Sequence, residues 1–191
     1  LEYQLAQPGG HSAGQHAGPA EKTVAFWNTL VDYSAAHNNG GASRFHALDP
    51  SLLDFQTFGD GLQEGVTMSV STRIPPGVEV SHLKSLLSTW CNGARVTYHP
   101  SDPAYQAEKN TPLVRAMLAA IRTQGGRPRF KLKTGTSDMN VVGPAWGCPM
   151  VAYGAGDSTL DHTPEEHIAV QEFHRSIDVL AHALETMATG P

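Results

Sequence analysis

Residues 66–90 read VTMSVSTRIPPGVEVSHLKSLLSTW, and two hydrophobic periods meet in that stretch. Val66, Met68, Val70, Thr72 and Ile74 alternate with Thr67, Ser69, Ser71 and Arg73, which is the pattern of a strand with one buried face. Pro75-Pro76-Gly77 stops it, and Val80, Leu83, Leu86, Leu87 and Trp90 then recur at helical spacing. Upstream, Leu1, Tyr3 and Leu5 alternate with Glu2 and Gln4 as a further strand, broken by the glycines from Gly9. A helix is predicted from Ala20, with Val24, Trp27, Leu30, Val31 and Ser34 on one face and Asn38-Asn39-Gly40-Gly41 ending it. A strand near residues 54–58 and a last one over residues 94–98 complete the order strand-helix-strand-strand-helix-strand. That order is the ferredoxin-like split βαβ arrangement. It predicts an α/β fold in which both helices cover one face of a four-stranded antiparallel sheet, with Arg73 on the open face.

The rest of the chain reads differently. Residues 99–110, with Pro100 and Pro103 and few apolar side chains, form a linker. Thr111 caps a helix opened by Pro112, with Leu113, Met117 and Ile121 facing inward. Residues 129–167 then read RFKLKTGTSDMNVVGPAWGCPMVAYGAGDSTLDHTPEEH. Residues 130–133 are predicted as a strand ending in Thr134-Gly135-Thr136-Ser137-Asp138, a turn dense in hydroxyls and backbone N–H groups. Residues 149–153 read as a strand buried on both faces that runs into Gly154-Ala155-Gly156-Asp157-Ser158. Ligand sites in open α/β sheets lie beyond the carboxyl ends of strands, so both turns are expected on one crevice. His162 follows that crevice. Pro164 is predicted to open a helix capped by Thr163 or Asp161, with Glu165 and Glu166 in its first turn. Phe173, Ile177, Leu180, Leu184 and Met187 mark a long amphipathic C-terminal helix.

Composition narrows the function classes. A chain of 191 residues can bury a real core. Thirteen Lys and Arg against eighteen Asp and Glu give a net charge of -5, so there is no basic field for nucleic acid. No apolar stretch is long enough for a membrane span and no signal segment is visible, which makes a cytoplasmic location the expectation. Cys91 and Cys148 lack metal-site spacing, so any metal must use His, Asp or Glu. Ser137 beside Asp138 lacks the G-x-S-x-G elbow of a serine hydrolase.

The run KTGTSDMN followed by GDS-LDHTPEEH resembles the C-terminal part of the two-zinc amidohydrolases, the family of acetylornithine deacetylase, succinyl-diaminopimelate desuccinylase and carboxypeptidase G. The likeness is strongest to members that release lysine or ornithine from an amino-group carrier protein. The resemblance implies a lid and dimerisation domain over residues 1–103 and the C-terminal portion of a zinc-peptidase-type catalytic domain over residues 104–191. It implies that His162 is a zinc ligand and that Thr134, Gly135, Thr136, Ser137 and Asp138 line the substrate pocket. Asp161 or Glu166 would orient the second nitrogen of His162, and Asp138 or Asp157 would receive a substrate ammonium. His11 matches the lid histidine that reaches across a homodimer to steady an oxyanion, with His16 as the fallback. Arg73 matches a lid arginine for a substrate carboxylate, for which a guanidinium provides bidentate geometry. Zinc, as one or two ions with cobalt as a substitute, is the expected cofactor. The partners expected are a small amino-acid conjugate or carrier protein and a second subunit. The family's His-x-Asp and Glu-Glu motifs precede the lid; no His-x-Asp occurs in this sequence, and its one Glu-Glu pair, Glu165-Glu166, follows the lid. The chain therefore reads as part of an amidohydrolase, inactive alone; the rival is a non-enzymatic amino-acid-binding or dimerisation module.

Overall fold

The computed structural model describes residues 1–9, 17–41 and 43–189. The chain divides into two compact units, Leu1–Ala104 and Tyr105–Pro191.

The first unit runs β1 (Glu2–Pro8), α1 (Pro19–His37), a short 3-10 turn (Arg44–His46), β2 (Asp49–Gly59), β3 (Gln63–Arg73), α2 (Val80–Trp90) and β4 (Arg95–Thr97). The strands form one sheet in the order β2-β3-β1-β4, with every neighbouring pair antiparallel. The alternation read from β3 is realised: Val66, Met68 and Val70 are buried and their odd-numbered neighbours face away. Tyr3, Leu5, Phe26, Leu30, Leu48, Met68, Val70, Leu83 and Leu87 make the core. The Tyr3 and Phe26 rings meet at 4.7 Å, and the Tyr3 hydroxyl donates to the Cys91 carbonyl at 3.2 Å.

α1 keeps Leu30 and Ser34 of the predicted stripe and departs from it at the other positions. It buries Thr23, Phe26, Leu30 and Ser34, whereas Val24 is exposed and Trp27 and Val31 are half-buried. Burying Thr23 and Ser34 is tolerable because their hydroxyls donate to the Pro19 and Leu30 carbonyls at 2.7 and 2.8 Å. Phe26 then takes the central position. β2 is longer than predicted and breaks register between Leu52 and Asp54, which leaves Leu53 exposed.

Phe58 on β2 lies opposite Gly65 on β3, and its ring covers the glycine. A Cβ at position 65 would overlap that ring and stand 2.8 Å from the Leu5 carbonyl oxygen. Gly65→Ala is therefore expected to destabilise the first unit by about 1–3 kcal/mol, as overpacking does elsewhere. Urea denaturation checks this; an unchanged midpoint would mean that the ring swings away freely.

The second unit holds α3 (Pro112–Thr123), α4 (Asp138–Trp146) and α5 (Val170–Thr189). Thr111 caps α3 as predicted, accepting from the Val114 amide at 3.2 Å. Met117 and Ala120 of α3 pack on Val179 and Ala183 of α5, with Leu113, Ile121 and Tyr153 at the edge. Three expectations fail here. Residues 130–133 and 149–153 carry no strand, and Phe130, Leu132 and Val151 are exposed. A strand needs a ladder partner for its N–H and C=O groups, and no described segment of this unit offers one. No helix opens at Pro164; residues 158–165 form successive turns and the helix begins only at Val170. Finally, α5 turns Ser176, Val179 and Ala183 inward and leaves Phe173, Ile177, Leu180, Leu184 and Met187 exposed. The small residues of α5 meet the small face of α3, and the large stripe is left without a cover.

Candidate active site

The second unit contains the two turns singled out by sequence. Residues 134–138 lead into α4, whose N-cap is Ser137; its amide donates to the Asn140 side-chain oxygen at 2.9 Å. Asp138 sits in the first turn of that helix, where a carboxylate complements the helix dipole. The helix itself was not foreseen. Its signals were Ser137 and Asn140 at capping-box spacing and Gly147, a left-handed C-cap with φ 59°.

The second turn carries His162. Asp157 accepts the Thr159 amide at 3.0 Å, and its carboxyl is held below the usual carboxylate range mainly by that bond. The Leu160 amide donates to the Asp157 carbonyl, and the Thr163 amide and hydroxyl both donate to the Leu160 carbonyl. Between them His162 is exposed with φ 65°, a left-handed conformation. A non-glycine residue there costs about 1–2 kcal/mol, although histidine adopts it more often than most. The His162 amide donates to Glu166 Oε2 at 2.8 Å, which offsets part of that cost.

Asp161, adjacent to His162, receives Lys133 Nζ at 2.8 Å. As an exposed ion pair it is worth under ~1 kcal/mol, but it joins positions 28 apart, the residue before the 134–138 turn and the residue before His162. Asp161 takes a lysine through Oδ2 and Glu166 takes the His162 backbone amide through Oε2. Lys133 had no signal in the sequence beyond its position before the turn.

Arg73 ends β3 on the face away from the helices, as the alternation requires. It stands opposite Asp49 in register, 4.0 Å from its carboxylate, and is half-exposed. That contact leaves the guanidinium open to another anion. His11 and His16 lie outside the described residues.

The sequence profile of peptidase family M20/M25/M40 matches residues 10–186. The chain belongs to that family. A Deinococcus radiodurans protein named "LysW-lysine hydrolase" is 36% identical over 185 residues, covering 94% of this chain and 51% of the relative. A Thermococcus kodakarensis protein named "Putative LysW-lysine/LysW-ornithine hydrolase" is 54% identical over 168 residues, covering 88% of this chain and 43% of the relative. The chain thus spans about half the length of these curated relatives. The M20 family metallo-carboxypeptidase Sso-CP2 from Sulfolobus solfataricus shares the fold, with a TM-score of 0.72 over 96% of this chain and 57% of its own, at 14% identity.

A family that includes a metallo-carboxypeptidase raises the question of donors. His162 presents an exposed imidazole and fits one corner of a zinc site, where neutral histidine is a common ligand. Among the described residues no three His, Cys, Asp or Glu side chains converge as a metal site. A metal site of three or more such ligands that used His162 would therefore draw at least one donor from outside them. Among the described residues, no helix is long and apolar enough to cross a membrane.

Proposed function

We propose that this chain is the lid and C-terminal part of a metal-dependent hydrolase that releases lysine or ornithine from an N-acyl or carrier-protein conjugate in amino-acid biosynthesis. The observation that carries the reading is the Lys133–Asp161 bond, which ties the residue before the 134–138 turn to the residue before His162, in a family member whose relatives are named for such hydrolysis. The first unit, with its strand order β2-β3-β1-β4 and helices on one face, supports the reading of a ferredoxin-like lid.

In this reading His162 holds zinc and the 134–138 turn lines the pocket. Arg73 binds a substrate carboxylate, and Asp138 or Asp157 receives an ammonium. Zinc, when bound, polarises the scissile carbonyl and acidifies water. Asp157 is an exposed carboxylate and is anionic at neutral pH, as an ammonium partner must be. His11 serves the active site of a second subunit, so the complete enzyme is a homodimer. β2 supports this: it is an edge strand of 11 residues with Leu52, Leu53 and Phe58 exposed, a surface suited to pairing.

The test uses a complete protein in which this chain follows the preceding half of a family member. Turnover of an amide-linked lysine or ornithine is expected to vanish on chelation and to return with zinc or cobalt. Chelator-resistant turnover would rule out the metal reading. Tight amino-acid binding with no turnover would favour the rival, a binding module.

A further inference from the structure

The left-handed turn at His162 has its own acceptor, and we infer that Glu166 is the positioning residue that aims the His162 side chain. The inference rests on the reading of His162 as a ligand and deepens it. At φ 65° glycine would sit without strain, yet the chain keeps an imidazole there. In that conformation the direction of the Cα–Cβ bond, and so of the ring, depends on the backbone staying left-handed. Glu166 holds the backbone directly, accepting the His162 amide at 2.8 Å from four residues on. The adjacent carboxylate, Asp161, is bonded to Lys133. The neighbouring His167 ring is occupied with the Glu165 carbonyl at 2.6 Å. Glu166 thus acts through His162 and touches neither metal nor substrate.

Two measurements test it. In the 15N-labelled 191-residue chain, hydrogen exchange of the His162 amide is compared between the wild type and Glu166→Ala. The amide is expected to be protected in the wild type and to exchange faster in the variant, because its bonded acceptor is then gone. Equal exchange in the two overturns the proposal. In the complete protein, zinc affinity is measured by competition with a chromophoric chelator, beside kcat and KM. Glu166→Ala is expected to weaken zinc binding about 10–100-fold, the usual effect of removing a group that orients a ligand. It should lower kcat more than it raises KM. Glu166→Gln retains a neutral acceptor and should recover most of both. An Ala variant that loses thermal stability but keeps wild-type zinc affinity would make Glu166 merely structural and overturn the proposal. A complete wild-type protein that takes up no zinc at all would instead overturn the ligand reading, and the positioning role with it.

Discussion

Mixing a His11→Ala subunit of the complete enzyme with a His162→Ala subunit is expected to restore about a quarter of wild-type activity from two nearly inactive parents. The expectation follows from twofold symmetry. Each active site is proposed to take His162 from one subunit and His11 from its partner. Random exchange makes about half of the dimers hybrid, and each hybrid has one site with both histidines intact. The alanine parents are each expected to fall at least ~1000-fold, about 4 kcal/mol of transition-state stabilisation. His11 falls in the sequence between β1 and α1 of the first unit, and His162 belongs to the second. Mixed subunits that exchange without regaining activity would show that His11 acts within its own subunit or not at all. A monomeric enzyme by light scattering would remove the proposal.

The parts of the fold that depend on neighbours close in sequence were readable in advance. Val66, Met68 and Val70 alternate because the sheet buries one face, and Leu83 and Leu87 point inward because α2 lies on that face. Thr111 and Pro112 announced α3 through capping chemistry alone. The errors occur where a partner decides the outcome. α1 keeps Leu30 and Ser34 of the expected stripe but buries Thr23 and Phe26 in place of Val24 and Trp27, and the Thr23 hydroxyl is satisfied on the Pro19 carbonyl, which a count of apolar residues does not register. Residues 130–133 and 149–153 have strand-like composition, but composition supplies no ladder. α5 shows the same effect from the other side. Its large stripe from Phe173 to Met187 remains exposed because the small residues Ser176 and Ala183 allow closer packing against α3.

At the candidate site the residue types were legible and their relations were not. Gly135, Ser137 and Asp138 look like a ligand turn in sequence, and the same letters also begin a helix. His162 stood out through its neighbours, but nothing in a sequence without glycine at that position signals a left-handed backbone. The bonds from Glu166 to the histidine amide and from Lys133 to Asp161 are likewise properties of the folded turn.

The central claim is that this chain contributes one metal ligand, His162, to a site completed by residues that precede it in the complete enzyme. Calorimetric titration of zinc tests it most directly, first into the 191-residue chain and then into the complete protein. A stable zinc site uses three or four protein ligands, so a lone imidazole should bind no tighter than on the order of 10 µM, whereas the complete site should bind below about 1 µM. His162→Ala should weaken binding in the complete protein and change little in the chain alone. The predicted result is weak or undetectable binding to the 191-residue chain and tight, His162-dependent binding to the complete protein. Submicromolar zinc affinity in the 191-residue chain by itself would contradict the account.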